Sequence, residues 1–574
     1  MNNAAGKLGL VFFDFVQCHI RLVFGRKRRP PPGRHFECDA VRAGDRSGLG
    51  RNADGRKPER AVGGNFAASF AAGVAAAAIM LLAIVLLRLL SGVMSLPEVV
   101  AEGLLMLLPG VLFSAVLDSL QHAAKPLFYL AVGIGILIVG GLFGRWYADR
   151  PGWGQVLRLV LGVWLVFGIG VYTILGAGLF GQHLQAGVLW HAVSLLIVIG
   201  VFGIALYHAY AALVHRALPS EPDHTRRLLL RNAAVGIVAT VGAGSLWRLL
   251  SGEGASTFAA PPVASGTGAL SAATPNPPPF DLKGLATEVT PAADFYTVSK
   301  NFIDPAVAVG GWRLKIGGLV DRPMELTYEQ LTALPASEGY YTLMCISNEI
   351  GGDLWGNAYW RGVKLKYLLE QAGVHADAFK AVFSAADDYR DSVKLERALH
   401  PDALLAWEMN GEALKKEHGF PARLLIPGIY GMKNVKWLNG INIVADDFRG
   451  FWQNQGWDDA APYQTESRID VPRFRESIPV GPLSLAGVAY AGDRGIQSVE
   501  VSTDGGRTWQ PAEVKPGLSP YSWQLWRADV QVDRSAKDVR VRATDGQGHP
   551  QTREVNPPFP SGATGYHTVT IAVA

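Results

Sequence analysis

The stretch Leu343-Met344-Cys345-Ile346-Ser347-Asn348, followed by Gly351-Gly352-Asp353-Leu354-Trp355-Gly356-Asn357-Ala358-Tyr359-Trp360, decides how this chain is read. Cys345 is the only cysteine outside the N-terminal tail, which holds Cys18 and Cys38. The apolar run Tyr341 to Met344 predicts a strand that delivers the sulfur to a turn rich in Gly and Asn. A thiolate presented at a strand end can hold a soft metal. The competing reading is a cysteine buried as a small hydrophobe, and the surrounding sequence has to choose between them.

Working outward, 574 residues are too many for one domain. A hydrophobic content of 49% and a mean hydropathy of +0.17 point to a membrane-embedded region. Three cysteines without CxxC spacing exclude a disulfide framework and a zinc site of that type. The net charge of +4 is small and unevenly spread, so nucleic-acid binding is not implied.

Residues 1–64 include Arg26-Lys27-Arg28-Arg29-Pro30-Pro31-Pro32 and cannot bury a core, so a disordered basic tail is expected. It reads as a cytosolic anchor ahead of a membrane span, or as an untranslated stretch upstream of a later start. Five stretches are long and apolar enough to cross a bilayer: about 66–90, 126–143, 156–180, 188–213 and 228–246. The segment 98–121 carries Glu98, Glu102, Asp118 and Pro109, and is expected to lie along the outer surface. Arg145, Arg150 and Arg158 cluster at one turn, and Arg216, Arg226, Arg227 and Arg231 at another. With five spans both clusters and the tail share the cytosolic side; six spans fit if the tail is absent. Either way the C-terminal half lies outside the cytosol. Thr225-Arg226-Arg227-Leu228 resembles an internal twin-arginine export signal, and ordinary positive-inside charge explains it equally well. A Pro/Gly/Ala/Ser tether follows, within 251–285.

From residue 286 the pattern becomes mixed α and β. Trp312 to Ile316 alternates as a strand, Thr327 with Gln330 forms a capping box, and Leu365 to Ala372 reads as a helix. Val382 to Ser384, Leu424 to Pro427, Val435 to Leu438 and Ile441 to Val444 read as strands. Past Ile478 the chain is short strands with turns at Asp504-Gly505-Gly506 and Asp545-Gly546.

Ordered motifs then carry a resemblance. They are Phe295-Tyr296-Thr297-Val298, Gly318-Leu319-Val320-Asp321-Arg322-Pro323, Cys345 with Asn348, and Asn357-Ala358-Tyr359-Trp360-Arg361-Gly362. Next come Leu405-Ala406-Trp407-Glu408-Met409-Asn410-Gly411, His418-Gly419-Phe420-Pro421-Ala422-Arg423, and Gly431 to Trp437. Together they resemble the sulfite oxidase family of molybdopterin enzymes. Behind the α-helical membrane bundle read from hydropathy, the resemblance implies an α+β molybdopterin domain over 286–475 and an immunoglobulin-like β-sandwich dimerisation domain over 476–574, so the chain is multi-domain. It implies a molybdenum cofactor with Cys345 as the metal's protein thiolate. It also implies cofactor contacts from Tyr296, Thr297, Lys300, Asp387, His418, Arg423, Asn434, Val435 and Lys436. The family's Arg and His are not matched in the Tyr296–Lys300 segment. Trp457 falls near the place of the family's catalytic tyrosine. Glu349 and Ile350 stand where a sulfite site has paired arginines.

The reaction expected is two-electron oxygen-atom transfer on a small-molecule substrate. The alternatives are an extracytoplasmic sulfoxide or S-/N-oxide reductase and, outside enzymes, a membrane receptor or transporter-like protein with an inert module. A homodimer, a lipid bilayer and a cytochrome or quinone electron partner are the expected associations. No CxxCH occurs, and haem is not expected, although His191 and His208 share one predicted span.

Overall fold

A computed structural model describes residues 66–91, 95–107, 124–182, 184, 186–214, 280–301, 304–473, 476–534 and 536–573. The tail 1–64, the expected span 228–246 with its arginine flank, and nearly all of the tether lie outside the described residues.

Apolar sequence whose only prolines, Pro97 and Pro126, fall in a first turn forms α1 (Phe66–Ser91), α2 (Leu96–Leu107), α3 (Ala124–Ala148), α4 (Trp153–Leu165) and α5 (Gly187–Val214). Helix α4 runs on through a π-helical turn, Val166–Val171, to Ile174. It stops short of the expected residue 180 because Gly176 and Gly178 adopt positive φ, which ends a helix. Among the described residues four helices are long and apolar enough to cross a membrane: those containing Phe66–Ser91, Leu127–Ala148, Trp153–Ile174 and Gly187–Leu213. Leu82, Leu130, Leu157 and Leu189 point outward from them, an arrangement suited to lipid and costly in water.

Small residues set the bundle's geometry. A Cβ on Gly73 would lie 2.1 Å from the Gly140 carbonyl oxygen, and one on Gly144 would lie 2.3 Å from that of Ser69. Helices α1 and α3 therefore cross backbone to backbone, antiparallel. Gly140 also faces the Phe202 ring, and Tyr147 packs on Tyr210 at 5.2 Å, so α3 and α5 run in the same direction. Trp153 stacks on Tyr207 and Trp164 donates to the Ala192 carbonyl, so α4 opposes α5.

The α+β region holds two sheets. The first orders strands Met324–Leu326, Leu314–Gly318, Leu438–Val444, Lys380–Ala385 and Arg390–Lys394; only the second and third run parallel. The other orders Ala336–Met344, Trp355–Lys364, Leu404–Met409 and Glu412–Ala413, and Arg423–Leu425 pairs with the third. Helices α6 (Tyr328–Thr332), α7 (Leu365–Ala372) and α8 (Leu395–Ala398) punctuate these strands. Helix α6 opens on the expected reciprocal cap between Thr327 and Gln330. Fully buried Trp407, Trp437, Phe383 and Leu424 tie both sheets into one core. The expected strand over Val435 to Leu438 is corrected: only Leu438 enters a strand. Trp437 takes a positive φ of 51°, and Asn434 bonds the preceding loop instead of a ladder.

The C-terminal region is built of two four-stranded antiparallel sheets and a short parallel pair, Ser477–Ile478 with Ala572–Val573. The first orders Glu466–Val471, Gly481–Tyr490, Gln524–Val532 and Glu513–Val514; the other orders Gln510–Pro511, Ile496–Ser502, Asp538–Asp545 and Thr568–Thr570. Leu485, Trp526 and Val530 from the first meet Val499, Val501, Val539 and Val541 from the second in a shared core.

Candidate active site around Cys345

The strand Ala336–Met344 ends one residue before Cys345, and the next strand begins at Trp355. The intervening turn is pinned by Asn348. Its side-chain oxygen accepts from the Leu354 N–H at 2.9 Å, and its backbone N–H donates to the Cys345 carbonyl at 3.0 Å. The sulfur sits 3.0 Å from the Ser347 hydroxyl and Cys345 is 7% exposed. Burial pushes the Cys345 thiol up, against hydrogen bonds near Ser347 and the charge of Lys436, which pull it down. Among the described residues no group of three His, Cys, Asp or Glu could hold a metal.

A second loop approaches from below the sulfur. The Gly431 backbone lies so close that a Cβ there would meet the Tyr296 hydroxyl at 2.6 Å and the Met344 carbonyl oxygen at 3.1 Å. Asn434 is 2% exposed; it accepts from the Ile426 N–H at 2.6 Å and donates to the carbonyls of Ile429 and Tyr430. That bonding fixes the backbone path through Val435 into Lys436. The Lys436 ammonium donates to the Glu417 carbonyl at 3.0 Å and lies 4.2 Å from the Trp437 ring centre.

His418 and Arg423 flank Gly419, whose φ of 108° turns the chain where a Cβ would meet both Lys436 and Arg423. His418 donates from Nε2 to the Ala292 carbonyl at 2.7 Å, and burial lowers its pKa, so the ring is neutral. Arg423 is 5% exposed and lies 5.1 Å from the Trp360 ring centre. Its terminal nitrogens donate to the carbonyls of His418 and Asn434, and its Nε has no partner among the described residues. Burial lowers its pKa to about 10, which leaves it charged at neutral pH. A buried cation with an unused donor is the feature an anionic cofactor group satisfies, so this donor set fits a phosphate-bearing cofactor.

The other expected cofactor residues gather less tightly. Asp387 is 7% exposed and accepts from Asn301 at 2.8 Å and from the Tyr389 N–H at 3.2 Å. The neighbouring Lys300 ammonium lies 5.7 Å from the Phe451 ring centre. Tyr296 stacks on Phe295, while Thr297 is exposed at the rim. Trp457 is buried, edge-on to Trp452 at 6.5 Å and to Phe559 at 5.2 Å. The indole N–H groups of Trp355 and Trp457 and the amides of Gln453 and Gln455 are buried with no partner among the described residues.

Several residues escaped the sequence reading. Tyr389, Tyr430 and Tyr463 join the expected Tyr296 around Cys345, the pKa of each raised by burial first and by a thiolate charge second or later. The Tyr463 hydroxyl accepts from the Met344 N–H at 3.3 Å. Lys433 is fully buried between Asp391 at 2.8 Å and Asp459 at 3.1 Å, and Asp459 also pairs with buried Lys380 at 2.6 Å. No local pattern marks these groups, because each partner is distant in sequence.

Glu466 is a buried, perturbed carboxyl beside the same turn. It is 2% exposed, takes one 3.3 Å hydrogen bond from Asn348, and burial raises its pKa to about 8. The folded chain thus keeps a proton that an unfolded glutamate releases above its ordinary value of 4.5. The stability it contributes is full below that value and is lost as pH rises through about 8. Glu466→Gln imitates the protonated form. Its melting temperature should match the parent's at pH 5 and exceed it at pH 9; equal melting at both values would refute the assignment.

The comparisons come to the same region. Residues 302–452 match the model of an oxidoreductase molybdopterin binding domain, and residues 460–559 that of a Mo-co oxidoreductase dimerisation domain. Sulfite oxidase of Arabidopsis thaliana is 29% identical over 331 residues, covering 47% of this chain and 84% of that one. A nitrate reductase of Brassica napus is 32% identical over 306 residues, but those are only 34% of its length. The sulfane dehydrogenase SoxCD of Paracoccus pantotrophus aligns structurally with a TM-score of 0.42 and 25% identity, over 50% of this chain and 81% of that one. Sulfite oxidase of Gallus gallus is 30% identical over 332 residues, covering 49% of this chain and 71% of the relative. On that match, with two domain models in sequence behind it, the chain belongs to the sulfite oxidase family of molybdenum-cofactor oxidoreductases.

Proposed function

We propose that this protein is a membrane-anchored enzyme that transfers one oxygen atom and two electrons between a small-molecule substrate and a molybdenum cofactor bound at Cys345. The observation that carries the reading is the pairing of a buried thiol at a strand end with buried Arg423, whose Nε lacks a partner among the described residues. The bound cofactor supplies the redox-active metal and its dithiolene sulfurs. Cys345 provides the protein thiolate, held in register by Asn348. Arg423 and His418 bind the cofactor's phosphate end, and Asn434, Val435 and Lys436 hold its backbone-facing side. Tyr296, Thr297, Lys300 and Asp387 border the pterin, and Trp457 borders the substrate. Stoichiometric molybdenum in purified protein, with Cys345 shielded from alkylation, is the expected result. Metal-free protein with a freely alkylated Cys345 would overturn the reading.

A second reading of the substrate has its own support. Lys433 and Lys380 are spent on Asp391, Asp447 and Asp459, and Arg468 closes on Asp470 at 2.6 Å. Neutral donors, the indoles of Trp355 and Trp457 and the amides of Gln453 and Gln455, are left over instead. This set suits an uncharged S- or N-oxide better than a dianion. Adding sulfite or methionine sulfoxide while recording the molybdenum spectrum separates the two substrates; no response to either leaves neither standing.

The dimerisation-domain match supports a homodimer, and the paired sheets support an immunoglobulin-like sandwich. Because the strand Glu466–Val471 already pairs with Gly481–Tyr490, we place the domain boundary near residue 460. The outward leucines of α1, α3, α4 and α5 support a bilayer anchor, and the cluster Arg145, Arg150 and Arg158 supports a cytosolic face at that end. Protease added outside spheroplasts should cut the C-terminal half; full protection would place it inside.

A further inference from the structure

The helical bundle contains polar groups that anchoring does not require. Arg88 and Glu98 pair at 3.0 Å with side chains 7% and 6% exposed, and the Ser95 N–H donates to the same carboxylate at 2.7 Å. Beside them His191 is 2% exposed and edge-on to Tyr172 at 5.8 Å, and its Nε2 has no partner among the described residues. Arg88, Tyr172, His191 and Ser194 line one small cavity of about 20 Å³, with Ile84 and Leu195 on its apolar side. Ionisable and imidazole groups buried between apolar helices are costly, and they mark ligand sites and transfer routes.

Position in the bundle narrows the ligand. Gly140 of α3 meets Phe202 of α5, and the two helices run in the same direction. Tyr129 lies eleven residues before Gly140, and His191 eleven before Phe202, so both sit at one depth. The Tyr129 hydroxyl donates to the Lys300 carbonyl at 3.4 Å. The cavity is therefore at the end of the bundle that meets the molybdopterin domain, beside the segment Lys300-Asn301 that reaches Asp387.

We propose that this cavity receives the carbonyl edge of a quinone, the lipid-soluble acceptor of the electrons released at the molybdenum site. The proposal rests on the oxygen-transfer reading above, in its oxidative direction. A cavity of this size admits one water-sized group, which suits a single carbonyl oxygen accepting from the His191 Nε2–H. The ring and tail then lie outside the cavity, whose apolar side is closed by the buried side chains of Ile84 and Leu195. The balance closes with one carrier: substrate, water and quinone give oxygenated substrate and quinol. Water supplies the oxygen, the substrate gives up two electrons, and two protons replace those of the water on the quinol's hydroxyls.

The test is equilibrium binding of decylubiquinone to the full chain in phosphatidylcholine nanodiscs, with empty nanodiscs subtracted. His191→Phe fills the cavity and should weaken binding at least tenfold, while His191→Gln keeps a donor and should restore most of it. His208→Phe removes the other buried histidine of α5, about 25 Å further along the helix, and should bind as the parent does. If His191→Phe does not assemble, Ser194→Leu narrows the same cavity and should show the same loss. Equal binding by the parent and the cavity variants, or an equal loss with His208→Phe, overturns the proposal. Molybdenum content of the same samples keeps the two readings apart. Molybdenum without saturable quinone binding defeats the quinone site alone. Quinone binding that depends on His191, in metal-free protein, upholds the site and defeats the oxygen-transfer reading.

Discussion

Cys345→Ser is expected to lower turnover by more than about a hundredfold, since even outer partners of a metal ligand act on that scale. Serine preserves the turn, because Asn348 pins it through the Leu354 N–H and the Cys345 carbonyl, not through the Cys345 sulfur. What changes is the donor: a hydroxyl is hard and stays protonated where a thiol gives up its proton to a soft metal. The site is buried and already disfavours charge on the side chain, so an alkoxide gains nothing there. The variant should fold with an unchanged melting temperature and retain pterin while its molybdenum spectrum changes. A spectrum identical to the parent's would show that the sulfur is not bound to the metal.

Arg423→Met should act on cofactor retention. The guanidinium is enclosed, and its free Nε is the donor available to an anion. Removing one side of a buried charge-assisted contact costs about 2–5 kcal/mol, roughly thirty- to several-thousand-fold in affinity. Purified Arg423→Met should therefore carry little pterin or molybdenum. Arg423→Lys keeps the charge, loses the planar fork and the packing over Trp360, and should fall between. Pterin content equal to the parent's in both variants would assign Arg423 to the bonds it makes with the His418 and Asn434 carbonyls alone.

Membership of an oxidoreductase family removes the receptor reading, since the half of the chain that would have been inert is the half that matches enzymes. The membrane region stands differently. Its apolar runs were legible because roughly 20 residues without charge admit few other readings, and four of the five expected spans coincide with helices. The ends were less legible. Where α4 stops depends on the backbone angles at Gly176 and Gly178, which a hydropathy pattern does not encode.

The sequence by itself determined the order of domains, the lone Cys345 at a strand end, and the motif set from Phe295 to Trp437. These signals are local: a period, a cap or a spacing can be read along the chain. Only the tertiary structure decided which side chains share the pocket. It brought Tyr463 and Glu466 beside a turn more than a hundred residues earlier, and it spent Lys433 on Asp391 and Asp459. It also left Arg423 short of a partner among the described residues and enclosed His191 against Tyr172. Burial and unmet hydrogen bonding are properties of a packed neighbourhood, and residues distant in the chain make that neighbourhood.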